Sequence, residues 1–302
     1  MRKPKTLKPG DCVAVIAPAG PPDEKKVAEG IRCLENLGLR VVMGNALFHK
    51  EGYLAAPDQE RLRDLHQAFS DPSIRAVFCA RGGYGTARIA PFIDYECIRS
   101  NPKIFWGYSD VTYLHGAIQK YSGLVTFHGP MVASDLNREA IRQETYRSFL
   151  QLFHPTIQTF DYSIAPLNVL AIGRGEGKIV GGNLTLMTDA LGTPYEWEVD
   201  GGLLMIEEVN EPAYRVGAML QHMNFAGVFE RVNGVILGDF KTEGEEKRKV
   251  EKLLEQFFAD APFPVVGGLP VGHCRPNYGI PLGVRARLST SPPCLQVDSG
   301  VI

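Results

Sequence analysis

Five short apolar runs lie in the first 128 residues, and helix-periodic segments separate the early ones. They read CVAVIA (12–17), RVVMG (40–44), AVFCA (76–80), KIFWG (103–107) and LVTFH (124–128). A strand with one wet face alternates apolar and polar residues; these runs are largely continuous, so burial on both faces is expected. After the first run, Val27, Ile31, Leu34 and Leu37 recur at helical spacing, and Gly38 stands where a left-handed C-terminal cap belongs. After the second, Asp58 is placed to cap a helix with Leu62, Leu65 and Phe69 on one face, ending before Pro72. Strands alternating with helices predict a parallel sheet covered on both sides.

The expected architecture is therefore α/β. An N-terminal domain over 1–153 carries the parallel sheet, in a flavodoxin- or Rossmann-like arrangement. Residues 154–178 hold two prolines and three glycines without periodicity and read as a linker. A smaller, mixed α/β C-terminal domain is expected over 179–302. There GGNLTLMTDALG (181–192) looks like a loop entering a helix, and LLMIEEV (203–209) and GVILG (234–238) look like strands. Residues 244–260 form a charged helix with Val250, Leu253, Leu254 and Phe257 inward, and the last segment alternates like a terminal hairpin.

With 32 Lys and Arg against 34 Asp and Glu, the net charge is −2, which gives no electrostatic reason to expect nucleic acid or an anionic membrane. A small-molecule or peptide partner is the default. No run approaches the ~20 apolar residues of a spanning helix, and the basic start lacks the apolar stretch of a signal peptide. The six cysteines show no CxxC spacing, as in a reducing cytoplasm. No metal or cofactor is expected. HExxH is absent, His49-Lys50-Glu51 lacks the PCxxC partner of a zinc deaminase, and the dinucleotide fingerprint fails at Arg88.

The chemistry-bearing stretch is FWGYSDVT (105–112). Ser109 falls between an apolar strand and a helix with Val111, Leu114 and Ile118 on one face. Serine at that junction is either a helix N-cap or an exposed nucleophile, because a strand-to-helix turn aims a hydroxyl and free N–H groups at one point. G-x-S-x-G is not met, since Val111 replaces the second glycine. A nucleophile needs a base and an orienting acid. His273 sits in a Gly- and Pro-rich loop after the strand-like PVVGG, where a side chain is held at a site rather than in a core. His66, His115 and His222 fall in helical patterns, and His128 ends a strand. Glu207 and Glu208 end an apolar strand and point to opposite faces, so one of them is available to orient an imidazole.

RGGYG (81–85), FWGYSDVT (105–112), GGNLTL (181–186), LLMIEEVNEPAYRV (203–216) and GLPVGHCRPNYGIPLG (268–283) together resemble the ordered motifs of the LD-carboxypeptidases, serine peptidases that include muramoyltetrapeptide carboxypeptidase and the microcin-immunity peptidase. The resemblance runs over nearly the whole chain. It implies a triad of nucleophile Ser109, orienting carboxylate Glu207 and base His273, although this chain has Glu-Glu where the family usually has Glu-Asp. It further implies an oxyanion hole from the backbone N–H groups of Gly83 and Asp110, with Arg81 and Asn183 as substrate-binding candidates; Asn183 could equally cap the helix that follows. The implied activity is release of the terminal D-alanine from murein tetrapeptide in the cytoplasm, during cell-wall recycling. A microcin-type acyl-sulfamoyl nucleotide peptide is the alternative substrate; a nucleotide-binding oxidoreductase and a non-catalytic peptide binder are the rivals outside it. Family members are often dimers, so a homodimer is an assembly the resemblance allows.

Overall fold

The computed structural model describes residues 1–137 and 141–302. The first sheet contains β1 (Cys12–Ile16), β2 (Arg40–Met43), β3 (Ile74–Cys79), β4 (Ile104–Gly107) and β5 (Thr126–His128), all parallel, in the order 2-1-3-4-5. That is the flavodoxin-like order, in which ligands bind beyond the strand carboxyl ends near the point where the order reverses. β1, β3, β4 and β5 are buried, as continuous apolar runs require. β2 departs from the expectation: as the edge strand it leaves Val42 and Met43 about half exposed.

The first helix runs Glu24–Asn36, and Gly38 takes φ +83° just beyond it. The second, Asp58–Ser70, corrects the capping expectation. Pro57 occupies the cap position, and Asp58, already helical, pairs with Arg61 and Arg88.

The segment 154–178 is more than a connection. It supplies β6 (Gln158–Phe160), β7 (Asn168–Ala171) and the start of β8 (Arg174–Asn183). With β9 (Leu203–Val209), β10 (Gly234–Lys241) and β11 (Val265–Gly267), these enter a second sheet of eight strands. β8 through β11 are mutually parallel at its centre. After β11 the chain returns to the first sheet, where β12 (Ile280–Leu282) pairs antiparallel with β5. The terminal hairpin of β13 (Arg285–Thr290) and β14 (Pro293–Val297) then extends the second sheet. The loop between β11 and β12 thus bridges the two sheets, and it carries His273. Among the described residues, no helix is long and apolar enough to cross a membrane.

Candidate active site

The site is built from strand ends. At the end of β4, Trp106 is fully buried and donates its indole N–H to Pro130 O at 2.7 Å. Its ring lies on Gly129 and Gly279, where a Cβ would come within 2.5 and 2.1 Å of it. Gly107 follows, so close to β3 that a Cβ would meet that of Cys79 at 2.9 Å. The chain then turns through Tyr108 into Ser109, which takes φ +62°. A non-glycine residue in this region stores roughly 1–3 kcal/mol and is found where surrounding structure over-determines it. One 3-10 turn, Ser109–Val111, leads directly into the helix Thr112–Ser122. Neither helical start has a side-chain cap, and the half-buried Ser109 hydroxyl has no hydrogen-bond partner among the described residues. Ser109 is therefore a strained turn residue with its hydroxyl uncommitted, and the capping alternative does not hold.

Against this turn lies the RGGYG loop that leaves β3. A Cβ on Gly82 would stand 2.8 Å from Ser109 Oγ and 3.3 Å from Asp110 N, so only glycine lets the loop approach the hydroxyl. Gly82 was not singled out by the sequence, where the two glycines look equivalent. Gly83 follows at φ +119°. Asp110 is 2 % exposed and ties the turn to the loop: Thr86 N–H donates to its carboxylate at 2.9 Å, and the Thr86 hydroxyl to its carbonyl at 2.6 Å. Burial raises the Asp110 carboxyl above its usual range, against the pull of these bonds. Behind them Arg61, fully buried, donates to the carbonyls of Pro18, Ala56 and Gly85 and to Asp58, joining three loops.

His273 enters from the bridging loop. Asn277, 1 % exposed, accepts from Gly272 N–H at 3.1 Å, and its own N–H donates to the Thr145 hydroxyl at 3.0 Å. The His273 Nδ1–H donates to Glu207 Oε2 at 2.7 Å, and the Glu207 side chain is completely buried. This contact fixes the neutral tautomer with its lone pair on Nε2. Burial alone lowers the affinity of the imidazole for a proton. The Glu207 charge and hydrogen bond, helped by Asp135 and Glu208, outweigh it, and the net shift is upward. Tyr108, more deeply buried, meets the imidazole edge-on, with ring planes at 63° and centroids 4.8 Å apart. Ser109, the next residue, makes no hydrogen bond to His273 in this structure; catalytic hydrogen bonds are often long without substrate.

The two glutamates have separate tasks. Glu208, on the opposite face of β9, accepts from Asn183 Nδ2 (3.1 Å), Thr185 N–H (2.8 Å), the Thr185 hydroxyl (2.8 Å) and Val209 N–H (2.8 Å). Asn183 is 3 % exposed and caps the helix Leu184–Ala190, its side-chain oxygen accepting from Leu186 N–H. Its amide is thus engaged in structure, beside Glu207 in strand register. Glu208→Ala leaves four donors without their acceptor, and it is expected to reduce stability by about 3 kcal/mol or more. A urea titration checks this.

Arg81 is exposed and donates to Pro21 O at 2.8 Å. It opens onto a cavity of about 560 Å³ shared with Lys25 and Lys50, one residue from the glycine that touches Ser109. His128 and His115 lie behind Tyr108, fully buried; burial holds His115 down at about 4 and His128 further below its ordinary value. Among the described residues, no group of three or more His, Cys, Asp or Glu side chains is disposed to hold a metal ion.

The comparisons with known proteins agree across the chain. The LD-carboxypeptidase N-terminal domain model matches residues 13–129, and the C-terminal domain model matches 176–288. A Bacillus subtilis protein named "Probable murein peptide carboxypeptidase" is 44 % identical over 99 % of this chain and 95 % of its own length. The microcin C7 self-immunity protein of Escherichia coli is 27 % identical over 89 % of this chain and 87 % of its own. The crystal structure of muramoyltetrapeptide carboxypeptidase from Oxalobacter formigenes superposes with a TM-score of 0.84 at 29 % identity, covering 95 % of this chain and 98 % of that one. By its sequence over both domains and by its fold, the chain belongs to the LD-carboxypeptidase family.

Proposed function

We propose that the protein is a serine carboxypeptidase that cleaves the L,D-peptide bond of murein tetrapeptide and releases the terminal D-alanine, in the cytoplasm. The observation that carries this reading is the 2.7 Å bond from His273 to buried Glu207, with the imidazole packed on Tyr108, the residue before an uncommitted serine held at φ +62°. His273 Nε2 takes the Ser109 proton as Oγ attacks the scissile carbonyl. The N–H groups of Gly83 and Asp110 hold the resulting oxyanion, each worth about 10²–10³ in rate. The imidazolium, stabilised by Glu207, returns the proton to the departing D-amino acid. Water, deprotonated by the same imidazole, then frees the acyl-enzyme. Arg81, in the RGGYG loop, is the cation assigned to a substrate carboxylate.

Murein is preferred over a microcin-type substrate because the chain is 44 % identical to the murein peptide relative and 27 % identical to the immunity protein. The deciding experiment is mass spectrometry of products after incubation with murein tetrapeptide and, separately, with a processed microcin analogue. Loss of one alanine from the tetrapeptide alone is the expected result; cleavage confined to the microcin analogue reverses the substrate assignment. Dialysis against a chelator is expected to leave the rate within about twofold, since a hydroxyl, an imidazole and a carboxylate supply both nucleophile and proton transfer.

A further inference from the structure

Behind the imidazole lies a second buried acid that the mechanism above does not use. Asp135 closes the short helix Val132–Asp135 and is 7 % exposed. One of its oxygens accepts from Met131 N–H at 2.8 Å, and the other from the Tyr108 hydroxyl at 3.4 Å. Tyr108 is 4 % exposed, and its ring is the one set against His273. A buried carboxylate with one backbone donor and one long phenol bond is poorly compensated, and no cation forms an ion pair with it among the described residues. The group it can serve is the imidazole on the other side of the phenol.

We infer that Tyr108 and Asp135 are positioning residues for His273. The phenol ring restrains the imidazole laterally while Glu207 holds Nδ1, and the Asp135 carboxylate, aligned through the phenol, adds a second negative charge behind the imidazolium. The inference rests on the serine-hydrolase reading, in which His273 is the base. It also fits the titration of the cluster. Burial pushes the Asp135 carboxyl up to about 6, and Asp135 is among the charges that move the imidazole upward. The other titratable groups around His273 and Asp135 are Glu207 and Glu208 from β9, Asp239 from β10, Cys274 and Arg275 from the His273 loop, both of which act on Asp135, and His128 from β5, which burial keeps neutral. His128 packs against the Tyr108 ring but stays neutral, so it adds no charge change of its own to the midpoint.

The sign follows from the chemistry. His273 acts as a base only when neutral, so activity rises with pH through its pKa. Removing a nearby negative charge destabilises the imidazolium and moves that midpoint down. The test is the rate at which a fluorophosphonate labels Ser109 between pH 5 and 9, with thermal melts run alongside. Asp135→Asn is expected to lower the midpoint by about half a unit or more. Tyr108→Leu, which removes the ring, is expected to slow labelling at the plateau about tenfold, while Tyr108→Phe, which keeps it, stays close to wild type there. A purely structural role would change the melts and leave the midpoint in place. Normal wild-type labelling with an unmoved midpoint in Asp135→Asn overturns the inference alone. If that variant does not fold, equal plateaus for Tyr108→Leu and Tyr108→Phe overturn it. A wild type that resists labelling at every pH overturns the serine reading as well.

Discussion

Ser109→Ala is expected to reduce D-alanine release by about 10⁶-fold, to the level the remaining binding groups support, and His273→Ala by a similar factor. The double variant should be no slower than either single one, because in the proposed mechanism the two side chains act in one proton transfer and its loss is complete when either is gone. Activity near wild type in either single variant eliminates the scheme. The backbone supplies a companion result that loss of chemistry alone does not. Ser109 sits at φ +62°, where glycine is unstrained and alanine is not. Ser109→Gly should therefore be inactive yet more stable than Ser109→Ala by about 1 kcal/mol, an increase of a few degrees in Tm. The comparison shows whether the strain is native to the turn: if the glycine variant melts below the alanine variant, the left-handed geometry at this position is wrong.

That strain is also where the sequence ceases to be informative. The strand-turn-helix junction at Ser109 could be read from the apolar run before it and the periodicity after it, but a positive φ at serine leaves no mark in residue type. β1, β3, β4 and β5 are legible because they lie inside the sheet, within runs that are largely apolar and buried. β6 and β7 are not, since these edge strands are only three and four residues long and largely half-exposed or exposed, between prolines and glycines that look like a linker. β12 was missed for another reason. Three residues, one of them Pro281, pair with β5 only because the whole loop folds back across the sheets. Two short helices between Thr86 and Ser100 are likewise too brief to generate a period. At the candidate site, the side chains proposed for the chemistry can be named from the sequence and their supports cannot. Gly82 cannot be told from Gly83 in the one-dimensional motif, although a Cβ on Gly82 alone would strike Ser109. Nor does anything in the helix Asp58–Ser70 announce that Arg61 is fully buried and joins three loops. Long-range partners of this kind are set by topology, which a local pattern does not contain.

The adjacent glutamates make the sharpest test of the site. Glu207→Gln is expected to lower kcat by about 10³–10⁴-fold while the protein remains folded, and Glu208→Gln to lower stability with a far smaller effect on the chemical step. Glu207 Oε2 accepts from His273 Nδ1, whereas its Oε1 has no partner among the described residues, so the carboxylate's structural obligations are few. An amide in its place has no negative charge for the imidazolium. With its NH₂ toward Nδ1 it also favours the opposite tautomer, whose Nε2 carries a proton and is unable to accept one from Ser109. Steric room does not permit an easy escape. Gly272, at φ +107°, lies so close that a Cβ there would come 2.5 Å from Oε2, and a Cβ on Gly238 would sit 3.0 Å from the Glu207 Cβ. The side chain is walled in, so a glutamine keeps the carboxylate's place and differs from it in charge and in the atom it turns toward Nδ1. Glu208 is the reverse case: it accepts from four donors, and an amide offers a single acceptor oxygen to serve them. Steady-state kinetics and urea midpoints on the two variants separate the roles. A Glu207→Gln enzyme that retains kcat within tenfold, or a Glu208→Gln enzyme that stays stable but loses turnover, would reassign the orienting acid to the other face of β9.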